Sequence, residues 1–224
     1  MILSDINNKL NYNIYNLLVS SYTKNLYFNF FKNCKRNAII LDIGIGNGYA
    51  IVKNEQIIKA KNLKIFGIDI DNFSLQKCQE NINKNNLQNN IKIINKDFFK
   101  LKVSDYQDFI NAKFFDIVFF SNSYSVIPNI TDFIFHSKNY IHNNGSIITS
   151  TTLYNTFNKT KNFMKKNVKH ILFNIDFGRI ITHQMIHDEI YNIGFNIKSK
   201  KLVHKNTIPI WGEVKVYCLV IKPQ

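Results

Sequence analysis

The stretch Ile39-Ile40-Leu41-Asp42-Ile43-Gly44-Ile45-Gly46-Asn47-Gly48 constrains this chain more than any other. Its apolar run is too short for a helix of its own and reads as a fully buried strand. The run ends in a carboxylate, and glycines follow at alternate positions. Glycines turn the chain sharply and let a ligand approach the bare backbone, because no Cβ stands in the way. The segment 47–58 has helical character, so the turn also offers the free N–H groups of a helix N-terminus. A tight strand-to-helix turn with no ligand has the same local pattern, and the rest of the chain has to decide between them.

Two ligand classes use a strand–glycine–helix turn. Dinucleotide-binding units space their glycines G-x-G-x-x-G around a pyrophosphate. Here the spacing is D-x-G-x-G-N-G, with Asp42 two residues before Gly44. An acid at that place sits badly beside a pyrophosphate and well beside a cationic ligand. The stretch resembles motif I of the class I S-adenosylmethionine-dependent methyltransferases, an acidic residue followed by x-G-x-G-x-G.

Composition narrows the partners. The chain has 224 residues, 45% hydrophobic and 20% charged, as expected of one soluble globular domain with a sizeable core. Cys34, Cys78 and Cys218 are widely spaced and form no metal-ligand pattern, which suggests reduced thiols and a cytoplasmic setting. The first residues, Met1-Ile2-Leu3-Ser4-Asp5, lack the basic start and apolar core of a signal peptide. No apolar run approaches the length of a membrane span. A net charge of +14 raises the question of nucleic acid. The lysines are scattered singly or in pairs within a general Asn, Lys and Ile enrichment. That pattern favours a solvated surface over a polyanion groove.

Residues 1–37 read as one or two helices, with Ile14, Leu17, Leu18, Leu26, Phe30 and Phe31 at helical spacing and Tyr12, Tyr15, Tyr22 and Tyr27 among them. Residues 63–71 read as a second strand ending in an acid, and Asp69 stands at the interval where an acid meets ribose in nucleotide-binding βαβ units. Asp71 reads as a cap for the following helix, whose apolar face is Leu75, Cys78 and Ile82. A third strand, residues 91–94, leads to Asp97 and Phe98, and a fourth, residues 114–120, leads to Ser121-Asn122-Ser123-Tyr124 and Pro128. Pro128 favours a turn into a helix beginning near Ile130. That helix runs through Tyr140 and stops at His142-Asn143-Asn144-Gly145, before a fifth strand over 146–151. Residues 152–181 are the least regular part. Phe157, Met164, Val168 and Leu172 suggest an amphipathic helix, open to reading as a substrate cap, a membrane-surface helix or a packed excursion. Thr182 caps a helix from His183 to Tyr191. Asn192-Ile193-Gly194-Phe195 ends that helix and starts another strand. The last strand, 214–221, follows it through a loop over 203–212 with no helical crossover, so the pair should be antiparallel.

The resemblance implies a fold and a site. The fold is a Rossmann-like doubly wound α/β sheet of about seven strands, mostly parallel, with one antiparallel strand near the C-terminus and helices on both faces. It implies one domain over 1–224: a helical lid (1–37), a donor-binding core (38–151), a candidate substrate cap (152–181) and a C-terminal helix and strand pair (182–224). The cofactor implied is S-adenosylmethionine, leaving as S-adenosylhomocysteine, with no metal. Gly44, Gly46, Asn47 and Gly48 would let the donor lie on the backbone while Asp42 offsets charge near its amino-acid part. Asp69 would take the ribose hydroxyls, Ile70 an adenine face, Asp97 the adenine amino group, and Phe98 a place near the ring. Ser121 lies at the donor end of the fourth strand, and Tyr15 and Tyr22 are lid candidates. Asn122, Tyr124, Tyr154 and Tyr22 are candidates on the acceptor side. His183 is more readily a surface residue than a base, and no catalytic base is assigned. The loop after the fourth strand lacks the paired prolines of enzymes that methylate nucleic-acid amino groups. It looks more like the small-molecule enzymes of the ubiquinone-biosynthesis type. A small-molecule acceptor is therefore expected, with an RNA or protein acceptor, or a catalytically silent donor-binding protein, as alternatives.

Overall fold

The computed structural model describes residues 23–121, 124–125, 127, 129–160, 162–163, 179–208 and 212–224. A helix (α1, described over 23–33) precedes strand β1, Ile39–Ile43. Next come α2 (Tyr49–Val52), α3 (Glu55–Ala60), β2 (Lys64–Asp69), α4 (Asn72–Lys84) and β3 (Ile91–Asn95). A 3-10 turn, Phe98–Lys100, leads to α5 (Val103–Ile110), β4 (Phe115–Ser121), α6 (Ile130–Ser137) and β5 (Ile141–Leu153). Helix α7 (His183–Asn192) and the strands β6 (Phe195–Ile208) and β7 (Gly212–Pro223) follow.

One sheet holds all seven strands in the order β3-β2-β1-β4-β5-β7-β6. Strands β1 to β5 pair in parallel, while β7 runs antiparallel to both β5 and β6. Central strands buried on both faces need continuous apolar runs. Ile40, Leu41 and Ile43 of β1 are almost wholly buried, and so are Ile65, Phe66 and Ile68 of β2. The sheet separates two apolar clusters. One packs α1, α3 and α4 against Ile40, Ile65 and Phe119. The other packs α5, α6 and α7 against Leu41, Phe66, Val118 and Phe120.

Three boundaries differ from the sequence reading. The single helix expected over 47–58 is two short ones, because Asn54 lies buried between them and its amide donates to Ala50 O (2.9 Å) and Lys24 O (3.1 Å). The side chain that interrupts the helix thereby ties it to α1. Strand β5 starts at Ile141, not near 146. The register of β4 on β5 shifts between Phe115 and Ile117, and polar side chains hold the irregularity. His142 Nε2 lies 2.9 Å from Asp116 Oδ1, and the Asn144 N–H donates to His142 Nδ1 at 3.1 Å. Finally, β6 continues to Ile208, so most of the segment read as a loop is hairpin. Met164, Val168 and Leu172, with the rest of 164–178, lie outside the described residues.

Candidate functional site

The glycine turn follows β1 at the end of the sheet where β1, β2 and β3 all terminate. Gly44, Gly46 and Gly48 all have positive φ, at 75°, 59° and 65°. The sequence assigned them one shared role, and their surroundings divide it. A Cβ added to Gly46 meets nothing within 4 Å, so this residue presents bare backbone to open space. A Cβ on Gly48 would lie 2.4 Å from Cys78 Sγ, so this glycine is required by the close approach of α4. Asn47 ties the turn to the helices that follow: its Oδ1 accepts the Tyr49 N–H (3.0 Å), and its carbonyl accepts from the Asn81 side chain (3.0 Å).

Asp69 closes the loop against β2. Its Oδ2 accepts the Gly46 N–H at 2.8 Å and its Oδ1 accepts the Asp71 N–H at 2.9 Å. Each carboxylate oxygen can accept more than one hydrogen bond, so these contacts orient the group and leave it capacity toward the crevice. Ile70 is 78% exposed, a large apolar side chain left mostly uncovered. Asp71 caps α4, accepting from the N–H groups of Phe73 (3.1 Å) and Ser74 (3.3 Å) and from the Ser74 hydroxyl (2.6 Å).

After β3, Asp97 Oδ1 accepts the Phe99 N–H at 3.0 Å and so caps the 3-10 turn. That turn decides which phenylalanine faces inward. Phe98 is buried among Phe120, Phe133, His136 and Tyr140. Phe99 is the half-exposed member of the pair.

Asp42 is 1% exposed. On β1 it pairs with Gly67 of β2 and Phe119 of β4. The Tyr27 hydroxyl on α1 donates to Asp42 Oδ2 at 2.8 Å, while Oδ1 has no hydrogen-bond partner among the described residues. Burial pushes the carboxyl pKa up to about 7, against the Tyr27 hydrogen bond, which lowers it, and with the help of the Asp69 charge, which raises it. Tyr27 itself packs edge-on against Phe119, with ring centroids 5.4 Å apart. The sequence showed Tyr27 only as one aromatic at helical spacing, and no local pattern marks its contact with Asp42.

The acceptor-side candidates separate. Ser121 ends β4, half-buried, opposite Ser150. Tyr124 is fully buried, and its hydroxyl donates to Glu189 Oε2 at 2.9 Å. Arg179 grips both oxygens of Glu189 at 2.7 Å, and its backbone N–H donates to Ser125 O. Tyr124 is thus a core residue that ties the loop after β4 to α7, not a side chain facing an acceptor. Tyr154 bridges to Thr182 and is half-buried, which raises its phenol pKa. The His183 ring lies edge-on to Tyr217, with Lys200 Nζ 3.2 Å from Nδ1. Burial first, then the nearby lysines, lower its pKa. Tyr15, Tyr22 and Asn122 lie outside the described residues. A separate groove of about 260 Å³ runs over the sheet between α1 and the β6–β7 pair, past Phe30, Cys34, Ile148, Lys201 and Cys218. It shares no residue with the glycine turn.

A glycine turn after β1, acids at the ends of the first three strands and a reversed seventh strand define a Rossmann-like fold of the class I methyltransferase type. Residues 34–203 match the family described as methyltransferase domain, and the chain belongs to that family. Among solved structures it is similar to an S-adenosylmethionine-dependent methyltransferase from Thiobacillus denitrificans in complex with S-adenosylhomocysteine. That match has TM-score 0.62 and 10% identity over 90% of this chain and 91% of that one. It is also similar to the mitomycin 7-O-methyltransferase MmcR (TM-score 0.64, 11% identity, 92% of this chain and 54% of that one). The cyclase SpnF has the same fold (TM-score 0.67, 12% identity, 89% and 81%). No curated protein matches the chain significantly. Among the described residues no helix is long and apolar enough to cross a membrane.

Proposed function

We propose that this chain binds S-adenosylmethionine at the glycine turn and directs its methyl group to a small-molecule acceptor. The observation that carries the reading is the open face of Gly46, whose N–H is held by the Asp69 carboxylate, with the largely exposed Ile70 next to Asp69 in the chain. A nucleoside needs this combination: backbone it can touch, an acceptor for hydroxyls and an apolar surface for a ring. Asp97, half-buried after β3, supports it as a partner for the adenine amino group. Asp42, whose buried Oδ1 has no hydrogen-bond partner among the described residues, supports the cationic end.

When bound, the sulfonium supplies an activated methyl group for in-line displacement. The protein's work is positional, since holding reactants in line removes much of the entropic barrier and closure excludes water. Asp69 orients the ribose while pinning the glycine turn. The Arg179–Glu189–Tyr124 network keeps the loop after β4 fixed beside the acceptor.

An RNA acceptor is favoured by a different observation, the exposed Lys198, Lys200, Lys201 and Lys205 along β6. Lysines on an edge strand also protect it from pairing with another sheet, and that explanation accounts for them here. A thermal-shift panel with S-adenosylmethionine, S-adenosylhomocysteine and NAD tests the donor, since a ligand of the folded state raises the melting temperature. Stabilisation by the first two alone is expected, and stabilisation by NAD alone overturns the reading. Labelled donor offered with small amines, phenols and carboxylates, and separately with RNA, then distinguishes the acceptors. Label in RNA, with affinity falling steeply with salt, selects the RNA reading.

A further inference from the structure

The carboxylate of Asp42 is held on one side only. Its Oδ2 is fixed by the Tyr27 hydroxyl, and its Oδ1, equally buried, has no partner among the described residues. A charge in that position is costly unless it is paired. Among the described residues, the groups that face it offer no positive charge. From α1 comes the Tyr27 phenol, from α4 the Cys78 thiol, from β2 the Asp69 carboxylate, and from β4 the apolar Phe119. Burial first, and then the Asp42 and Asp69 charges, push the Cys78 thiol up to about 12, so it is protonated at neutral pH and supplies no charge. Repulsion from the nearby Asp69 carboxylate makes ionisation of Asp42 harder.

We propose that Asp42 and Tyr27 form a proton-exchanging receptor for the cationic amino-acid end of the ligand: Oδ1 carries a proton in the ligand-free protein and gives it up to solvent when a ligand ammonium arrives. Tyr27 is the positioning residue. It turns the carboxyl so that the proton resides on Oδ1, and it stabilises the anion through Oδ2 once the proton has left. The inference rests on the donor-site reading above and adds a proton to it. One O–H bond on Asp42 breaks, the proton passes to buffer, and an ammonium–carboxylate contact replaces it. The raised carboxyl pKa, to about 7, agrees with this exchange.

S-adenosylhomocysteine is the probe, because it keeps the amino-acid end and undergoes no chemistry. Titration calorimetry of the whole chain at pH 6.5, in two buffers of different ionisation enthalpy, should show release approaching one proton per ligand. Affinity should rise by up to about tenfold per pH unit below the Asp42 pKa and level off above it. Tyr27→Phe removes the hydrogen bond that favours the anion, so the midpoint of this pH profile should move upward while affinity at pH 9 stays nearer to that of the native chain. A merely structural role would lower affinity equally at every pH. Asp42→Asn should release no proton and bind weakly throughout. Binding with no proton release and a flat pH profile would overturn the proposal while leaving the donor site intact. Failure to bind at any pH would overturn the donor site itself.

Discussion

Asp69 Oδ2 accepts the Gly46 N–H at 2.8 Å across 23 residues of sequence, joining the tip of β2 to the turn after β1. The acid proposed to read the ribose therefore also sets the shape of the backbone on which the ligand lies. Its other oxygen holds the Asp71 N–H, so the carboxylate is oriented before any ligand arrives. Orientation in advance lowers the cost of ordering on binding.

Asp69→Ala removes both functions. Hydrogen bonds to a charged group contribute about 1.5–3 kcal/mol each, so the affinity for S-adenosylhomocysteine should fall by about 10–100-fold. Asp69→Asn keeps an oxygen for the Gly46 N–H and should lose less. An unchanged dissociation constant in Asp69→Ala, measured by calorimetry, would remove Asp69 from the site.

Gly46 and Gly48 should fail in different assays. Both positions are left-handed, which costs an L-residue about 1–2 kcal/mol. Gly46→Val also fills the open approach, so it should abolish ligand binding in a protein that still folds. Gly48→Ala drives a Cβ into Cys78 and should lower the melting temperature by roughly 5–15 °C through overpacking. A Cys78→Ala background should recover part of that loss but do nothing for Gly46→Val. Equal rescue of both would show that the glycines share one role after all.

How much of this was legible follows from where the information resides. Strands β1 to β4, and the acids of the first three, were readable because parallel strands are apolar on both faces and end in punctuation. The start of β5 was not. His142-Asn143-Asn144-Gly145 has the composition of a turn, and only the bonds from His142 to Asp116 and Asn144 show that it belongs to an irregular strand. Asp97 was legible as an acid in register, but not that its cap on Phe99 turns Phe98 into the core. Asparagine enrichment read as surface bias, yet Asn37, Asn62, Asn86 and Asn111 all have positive φ, where asparagine is the best-tolerated residue after glycine. Tyr27 and Asp42 meet only through the tertiary fold.

Tyr124→Phe separates a core role from an acceptor role. Losing the hydrogen bond to Glu189 should cost about 1–3 kcal/mol of stability, read from denaturant unfolding. The KM for a small-molecule acceptor, once one is found, should stay within about twofold, a difference well under 1 kcal/mol. A raised KM with unchanged stability would return Tyr124 to the acceptor side.

Asp42 also makes a prediction for the ligand-free protein. Its pKa rises from the unfolded value, about 3.9, to about 7 in the fold. Between these values the folded state holds a proton that the unfolded state has lost. The contribution of this group is therefore fully present below pH 4 and is lost as pH climbs through 7. Other carboxylates titrate too, so the quantity to measure is the stability of Asp42→Asn minus that of the native chain. Asparagine mimics the protonated acid: its side-chain oxygen still accepts from Tyr27, and it carries no charge at any pH. The difference should move in favour of Asp42→Asn from pH 5 to pH 8, with the native chain overtaken as its carboxyl ionises without a counter-charge. A difference that is flat across that range would mean that Asp42 is already ionised at pH 5, with its buried oxygen satisfied by a donor other than Tyr27.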